Sequence, residues 1–258
     1  MRKKIFIKNR KGLKVAIDLT LNSGRGRLVF LEHGLSSRKE YPHMKVMEET
    51  FAENGYNVVN FDATNSLNES ESSSEGLTFS SHYEDLVDVI KWAKTREFYS
   101  EPFALAGQSL GGASCLNYAC EHPEKIDLLI VACCPFIDGK KLVENDEMMK
   151  KIEEVGYFDK VSRSVNRTLR INKIFIDDVK TYDMTDKIKN IKAKTFVVQG
   201  LLDAEYIKKT AHEIYDLLEC DKHLILLENT PHDLANTPQT KEIFTNTMRD
   251  ILKDTYFK

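Results

Sequence analysis

The 258-residue sequence predicts an α/β protein, a mostly parallel eight-stranded sheet with helices on both faces. Three observations carry this prediction. Short apolar, β-branched runs recur along the chain. The later six are nearly continuous in apolar character, as strands covered on both faces must be. Segments of helical period lie between them, so strand and helix alternate. A chain of this length can bury one large core and no linker-like stretch divides it, so one domain over 1–258 is expected.

The strands are expected at Lys4 to Lys8, Lys14 to Leu21, Leu28 to Glu32, Asn57 to Phe61, Phe103 to Ala106, Asp127 to Ala132, Thr195 to Gln199 and His223 to Glu228. The first two alternate apolar and polar residues around Arg10-Lys11-Gly12, the pattern of an antiparallel hairpin at a sheet edge. Val46, Met47, Thr50 and Phe51 mark a helix ending before Gly55. Ser81-His82-Tyr83-Glu84 reads as a capping box opening a helix over 81–96, with Leu86, Val87, Ile90 and Ala93 on its inner face. Ile207, Ala211, Ile214, Leu217 and Leu218 form another helix after Asp203, and Ile243, Phe244, Met248, Ile251 and Leu252 a last one.

Two segments break this rhythm. Residues 62–81 are polar and serine-rich, an exposed loop at the carboxyl end of a strand. Residues 136–192 show no clear strand-helix unit beyond a helix through Leu142, Met148, Met149 and Ile152. That is too long for an ordinary connection, and its origin at a strand's carboxyl end suits a lid or cap insertion. Function in such sheets gathers at the carboxyl ends of the strands.

Composition excludes several classes. With 37 basic and 40 acidic residues the net charge is -3, which supplies no field for nucleic acid or an anionic membrane. The longest apolar run, Leu128 to Phe136, falls short of a transmembrane segment, and Lys8 interrupts the amino-terminal apolar residues too early for a secretion signal. A cytoplasmic protein is expected, its oligomeric state open, with a homodimer among the options. Five cysteines at 115, 120, 133, 134 and 220 have neither an even count nor metal-ligand spacing, so reduced core cysteines and no metal site are expected.

Against this frame stands Gly107-Gln108-Ser109-Leu110-Gly111. A G-x-S-x-G arises by chance in roughly 3 of 100 chains of this composition, so its setting must decide. It follows an apolar run and precedes small residues, the strand, turn and helix start that lift a serine hydroxyl clear of the backbone. A serine nucleophile needs a histidine base, a carboxylate to orient it and donors for an oxyanion. Acid and base should follow the serine in that order, each beyond a later strand. Asp203 and His232 meet that demand. The other histidines, at 33, 43, 82, 122, 212 and 223, precede the serine or fall in helices or at element starts. Glu205, Asp233, Asp177 and Asp178 are rival acids, and Asp203 could instead cap the following helix. The oxyanion donors are expected to be the backbone amides of Leu110 and of Leu35, aimed by the His33-Gly34 turn. His33, Gly34, Gln108 and Phe136 are expected to line the substrate pocket, with Met148, Met149 and Phe158 added by the lid.

In these residues, His33-Gly34, the Ser109 pentapeptide, Gly200-Leu201-Leu202-Asp203 and Pro231-His232, the chain resembles the α/β-hydrolase superfamily over essentially its whole length. The short lid and Phe61-Asp62 are similar to small bacterial cinnamoyl and feruloyl esterases and to acylglycerol lipases. It departs from them in having Asn65, Asn68 and serines where glycines commonly follow Asp62, and in lacking a Val-Pro pair after Asp203. The resemblance implies a cofactor-independent serine hydrolase acting on a small-molecule ester through an acyl-enzyme. Thioesterase, serine peptidase and acyltransferase activity use the same residues, and a hydrolase-like fold can also serve as a non-catalytic ligand-binding protein.

Overall fold

All eight expected runs become strands of one sheet in the computed structural model, which describes residues 1–22, 26–66, 68–72, 76–162 and 167–256. In chain order these are β1 (Arg2–Lys8), β2 (Lys14–Thr20), β3 (Leu28–Glu32), β4 (Asn57–Asp62), β5 (Phe103–Gln108) and β6 (Ile126–Ala132), then β9 (Lys194–Gly200) and β10 (Lys222–Leu227). The intervening β7 (Tyr157–Ser162) and β8 (Arg167–Asn172) pair separately as an antiparallel ribbon. The sheet order is β1-β2-β4-β3-β5-β6-β9-β10. The β1–β2 and β2–β4 pairs are antiparallel, whereas β4, β3, β5, β6, β9 and β10 run parallel.

The unbroken apolar character of the central strands has a simple cause. Successive side chains of β6 face opposite ways: Leu129 and Val131 join one core, while Leu128, Ile130 and Ala132 join the other. The first core is closed by α2 (Phe79–Ala93) through Leu86, Val89 and Ile90 and by α3 (Leu110–Glu121) through Leu116. The second is closed by α1 (Pro42–Glu53) through Met44, Met47 and Phe51 and by α8 (Pro238–Tyr256) through Phe244 and Met248. A fifth helix on the sheet, α7 (Glu205–Leu217), contributes Ile207 to the second core and Ala211 and Ile214 to the first. β10, at the far edge, is only partly covered, with Leu226 exposed.

The start of α2 lies two residues before the expected one. Its N-cap is Thr78, whose hydroxyl accepts from the Ser81 amide at 2.9 Å, while the Ser81 hydroxyl accepts from the Thr78 amide at 3.1 Å. Ser81 is therefore the reciprocal partner in the capping box and not its cap. The earlier start buries Phe79 edge-on against Phe136 and Tyr182.

Between β6 and β9 the chain builds more regular structure than its sequence suggests. α4 (Gly139–Asn145) is capped by Asp138, which accepts from the Lys140 amide, and α5 (Glu147–Val155) by Asp146, which accepts from the Met149 amide. Gly156, at φ 94°, ends α5 and turns the chain into the β7–β8 ribbon. Then come α6 (Lys173–Val179) and a 3-10 turn at Ile188–Asn190. Positions 163–166 of the expected lid, and 67 and 73–75 of the expected serine-rich loop, lie outside the described residues. The free cysteines 115, 120, 133 and 134 are buried and Cys220 is half-buried. No described helix is long and apolar enough to cross a membrane.

Candidate active site

Ser109 stands between β5 and α3 with φ 56° and ψ -122°, a backbone conformation that L-residues rarely adopt. The turn is held from both sides. The Ser109 amide donates to the Ala132 carbonyl at 2.8 Å, and its carbonyl accepts from the Ala113 amide at 3.0 Å. The turn is so tight that a Cβ on Gly107 would lie 2.3 Å from the Gly111 carbonyl oxygen, so a glycine is required there. Leu110 is the first residue of α3, and its amide has no intrahelical acceptor.

Two later strand ends bring up the remaining groups. Asp203 follows β9, and His232 lies in the loop between β10 and α8. The His232 Nδ1–H donates to Asp203 Oδ2 at 2.7 Å. Asp203 also accepts from Gln199 Nε2 at 3.1 Å and, through Oδ1, from the Ala204 amide at 2.7 Å. Burial pushes the Asp203 carboxyl up, but the hydrogen bond and charge of His232, with Gln199 and the Ala204 amide, outweigh it and hold the group below the ordinary aspartate range. An ionised Asp203 fixes the proton on Nδ1 and leaves Nε2 as an acceptor. Gln108 Nε2 donates to the His232 carbonyl at 3.0 Å and so ties the histidine loop to the serine turn. Behind the pair lies the buried Cys133 thiol, pushed well above its ordinary value by burial and the Asp203 charge.

Two of the rival acids have other partners. Glu205 pairs with Lys208 at 2.8 Å on the surface, and Asp178 accepts from the Ser80 amide and hydroxyl. Asp233 offers its backbone carbonyl to His43 Nδ1 at 3.0 Å. Nor is Asp203 the cap of α7, whose N-cap residue is Ala204.

The loop after β3 carries the other half of the site. A Cβ on Gly34 would fall 2.8 Å from Ser109 Cβ and 2.8 Å from Gln108 Oε1, so only glycine lets this loop lie against the serine. The Ser37 amide donates to the Gly34 carbonyl at 3.1 Å, closing a turn that includes Leu35. His33 does not face the cavity, contrary to expectation. Its Nε2 accepts from the Ala63 amide at 3.1 Å, so Nδ1 carries the proton and donates to the Gly34 carbonyl at 2.8 Å. Burial lowers its pKa and keeps the ring neutral. Beneath it His82 Nε2 donates to the His33 carbonyl at 2.8 Å and approaches Glu32 Oε1 at 3.3 Å. Burial, with Asp85 nearby, holds the Glu32 carboxyl well above its ordinary value.

Farther along this loop Lys39 is fully buried among Asp62 at 3.3 Å, Glu69 at 2.5 Å, Asp18 at 4.0 Å and Glu40. Glu40, Asp62 and Glu69 lie close enough together to suggest a cation site, but the Lys39 ammonium already supplies their counter-charge. The loop after β3 and the loop after β4 are thereby fastened together.

Ser109, His232, Leu35, Leu110 and Gln108 all line one cavity of about 420 Å³. Its other walls include Tyr41 and His43 from the start of α1, Tyr206 from α7, and Leu142, Met148, Met149, Lys160 and Phe175 from the excursion between β6 and β9. Gly34 borders Ser109 without being one of the cavity's walls. Phe136 is also absent from them: its ring is locked against Phe79, and it borders a smaller neighbouring cavity instead. Phe158 packs against the main core, half-buried. Tyr41, His43, Lys160 and Tyr206 were not marked by any sequence signal, because no motif or period separates them from other residues of their elements.

The strand order, the strained serine between β5 and α3, and an acid–histidine pair at two later strand ends define an α/β-hydrolase. The chain belongs to the Hydrolase_4 family, described as serine aminopeptidase S33, which it matches over residues 25–182, more than half its length. Among solved structures it is similar to Est1E from Butyrivibrio proteoclasticus with ferulic acid bound, at a TM-score of 0.84 and 17% identity, over 98% of this chain and 100% of that one. Alpha/beta hydrolase domain-containing protein 10 from mouse superposes at a TM-score of 0.76 and 18% identity, over 98% and 99% of the two chains. GrgF, an alpha/beta hydrolase from Penicillium sp. sh18, does so at 0.79 and 17% identity, over 98% of each. At these identities the likeness is one of fold. No curated protein matches the sequence significantly.

Proposed function

We propose that this hydrolase is a serine carboxylester hydrolase acting on small or medium acyl or aryl esters through an acyl-enzyme. The observation that carries the reading is the 2.7 Å bond between His232 Nδ1 and Asp203 Oδ2 in a cavity that also exposes Ser109. His232 Nε2, free to accept, takes the Ser109 proton as Oγ bonds to the ester carbonyl carbon. The carbonyl π electrons move onto oxygen, and the amides of Leu35 and Leu110 stabilise that oxyanion. Its collapse breaks the bond to the leaving alkoxide, which takes the proton from His232. Water then attacks the acyl-enzyme by the same route and returns Ser109 and the carboxylic acid. The walls contributed by Leu142, Met148, Met149 and Phe175 supply apolar surface for an acyl or aryl group, in the role of a lid over residues 136–192.

The fold shared with Est1E, whose bound molecule is ferulic acid, is consistent with ester substrates, while the family description names aminopeptidases. A panel of nitrophenyl esters, acyl-thioesters and aminoacyl arylamides, run with wild type and Ser109→Ala, tests the reading. The expected result is fastest turnover of the esters, lost by several orders of magnitude in the variant. Preference for arylamides, or ester turnover retained by Ser109→Ala, would overturn it.

A further inference from the structure

Among the cationic side chains of the β6–β9 excursion, Lys160 is set apart by its surroundings. Arg170 is paired with Asp159 at 2.7 Å, Lys180 with Glu153, Lys150 with Glu147 at 2.8 Å and Lys141 with Glu213 at 2.7 Å, all at the surface. Lys160 has no hydrogen bond or ion pair with any described residue. Along β7 the exposure alternates, with Tyr157, Asp159 and Val161 exposed and Phe158 and Lys160 half-buried. Lys160 lines the cavity that holds Ser109 and His232, and its neighbour Val161 borders the same cavity.

A half-buried ammonium without a partner is costly, and burial indeed lowers the Lys160 pKa despite the attraction of Asp233 and Asp146. Those two carboxylates line the same cavity, but neither comes within 4.0 Å of the Lys160 ammonium. Asp146 is committed elsewhere, capping α5 with one oxygen and accepting from the Tyr206 hydroxyl at 2.5 Å with the other. Asp233 stands by the Tyr41 hydroxyl at 3.5 Å. The same cavity is lined by the apolar side chains of Met148, Met149, Leu142 and Phe175, beside polar walls such as Tyr41 and Gln108.

Resting on the ester-hydrolase reading of this site, we propose that Lys160 is a specificity-determining residue that pairs with an anionic group of the substrate, so that the preferred esters carry a carboxylate separated from the scissile bond by an apolar spacer. The group completes a charge pair that the described residues leave open, in a cavity where a pair is worth more than at the surface.

The test compares matched chromogenic esters. On the acyl side these are 4-nitrophenyl hydrogen adipate and 4-nitrophenyl hexanoate; on the leaving-group side, 3-carboxy-4-nitrophenyl butyrate and 4-nitrophenyl butyrate. The readout is the ratio of kcat/KM for the anionic ester to that for its neutral partner. In at least one arm, Lys160→Met should lower this ratio about tenfold, equivalent to ~1.4 kcal/mol, and Lys160→Arg should preserve most of it. Lys160→Glu should lower it further, and added salt should compress the wild-type ratio. Both arms showing equal loss on anionic and neutral esters would assign Lys160 a structural role and overturn the proposal, as would no loss in either. Failure of the ester reading itself would look different: Ser109→Ala would then retain turnover of the neutral esters.

Discussion

Replacing Asp203 with Asn keeps the shape of the acid and changes what it can accept. In the structure Oδ2 receives two donors, His232 Nδ1–H at 2.7 Å and Gln199 Nε2 at 3.1 Å, while Oδ1 receives the Ala204 amide at 2.7 Å. An amide has one oxygen, so its NH2 must face a donor whichever way it turns. If the oxygen stays with Ala204, the NH2 points at His232 and Gln199, and the imidazole relieves the clash by moving its proton from Nδ1 to Nε2. That tautomer cannot take a proton from Ser109. The expected loss in kcat is about 10³ to 10⁴, or ~4 to 5.5 kcal/mol of transition-state stabilisation, because the base is present but in the wrong form. Folding should change little, since one hydrogen bond of about 1 kcal/mol is at stake. Initial rates on a nitrophenyl ester from pH 6 to 9, with a thermal melt on the same samples, measure both quantities. Activity within tenfold of wild type would refute the assignment of Asp203 as the group that sets the histidine tautomer.

Gly34→Ala places a methyl 2.8 Å from Ser109 Cβ and should push the loop after β3 away from the serine. Displacing the Leu35 amide is expected to lower kcat about 10²-fold with a smaller change in KM; equal kcat with altered KM would argue against an oxyanion role for this loop. Glu32→Gln tests the buried carboxyl beneath that loop. Its folded-state pKa is raised, so its contribution favours the fold below the ordinary glutamate value and is lost as pH rises toward the folded value. Wild type should therefore lose stability relative to Glu32→Gln as pH rises above the ordinary glutamate range, by up to ~1.4 kcal/mol per pH unit, or about 3 °C in Tm. Parallel Tm curves from scanning fluorimetry would contradict the shift.

Much of this architecture was legible because its physics is local. Continuous apolar runs such as Leu128 to Ala132 mean a strand with two covered faces, and each of those residues is found in one core or the other. The pairing of Asp203 with His232 beside Ser109 was expected from position, since each of the three had to follow a strand. The excursion between β6 and β9 was harder to read. α4 and α5 have seven and nine residues, too short for a clear period, and the β7–β8 ribbon is stabilised by cross-strand pairs such as Asp159 with Arg170 that no local pattern marks. The pocket was misread at Phe136 and His33 for a related reason. Proximity to a strand end places a residue near the site, but the direction of its side chain is set by distant partners, Phe79 for one and Ala63 for the other. The same holds for the start of α2, where Thr78 outcompetes Ser81 as cap because the earlier start buries Phe79.

The central claim is that Ser109 becomes acylated. Mixing the protein with excess nitrophenyl ester, quenching in acid within milliseconds to seconds and mapping the peptides by mass spectrometry tests it directly. The expected result is an adduct of the acyl mass on the peptide containing Ser109, formed with the burst of nitrophenol, lost on further incubation and absent from Ser109→Ala. An adduct on another residue, or steady turnover with no acyl-protein at any time, would contradict it.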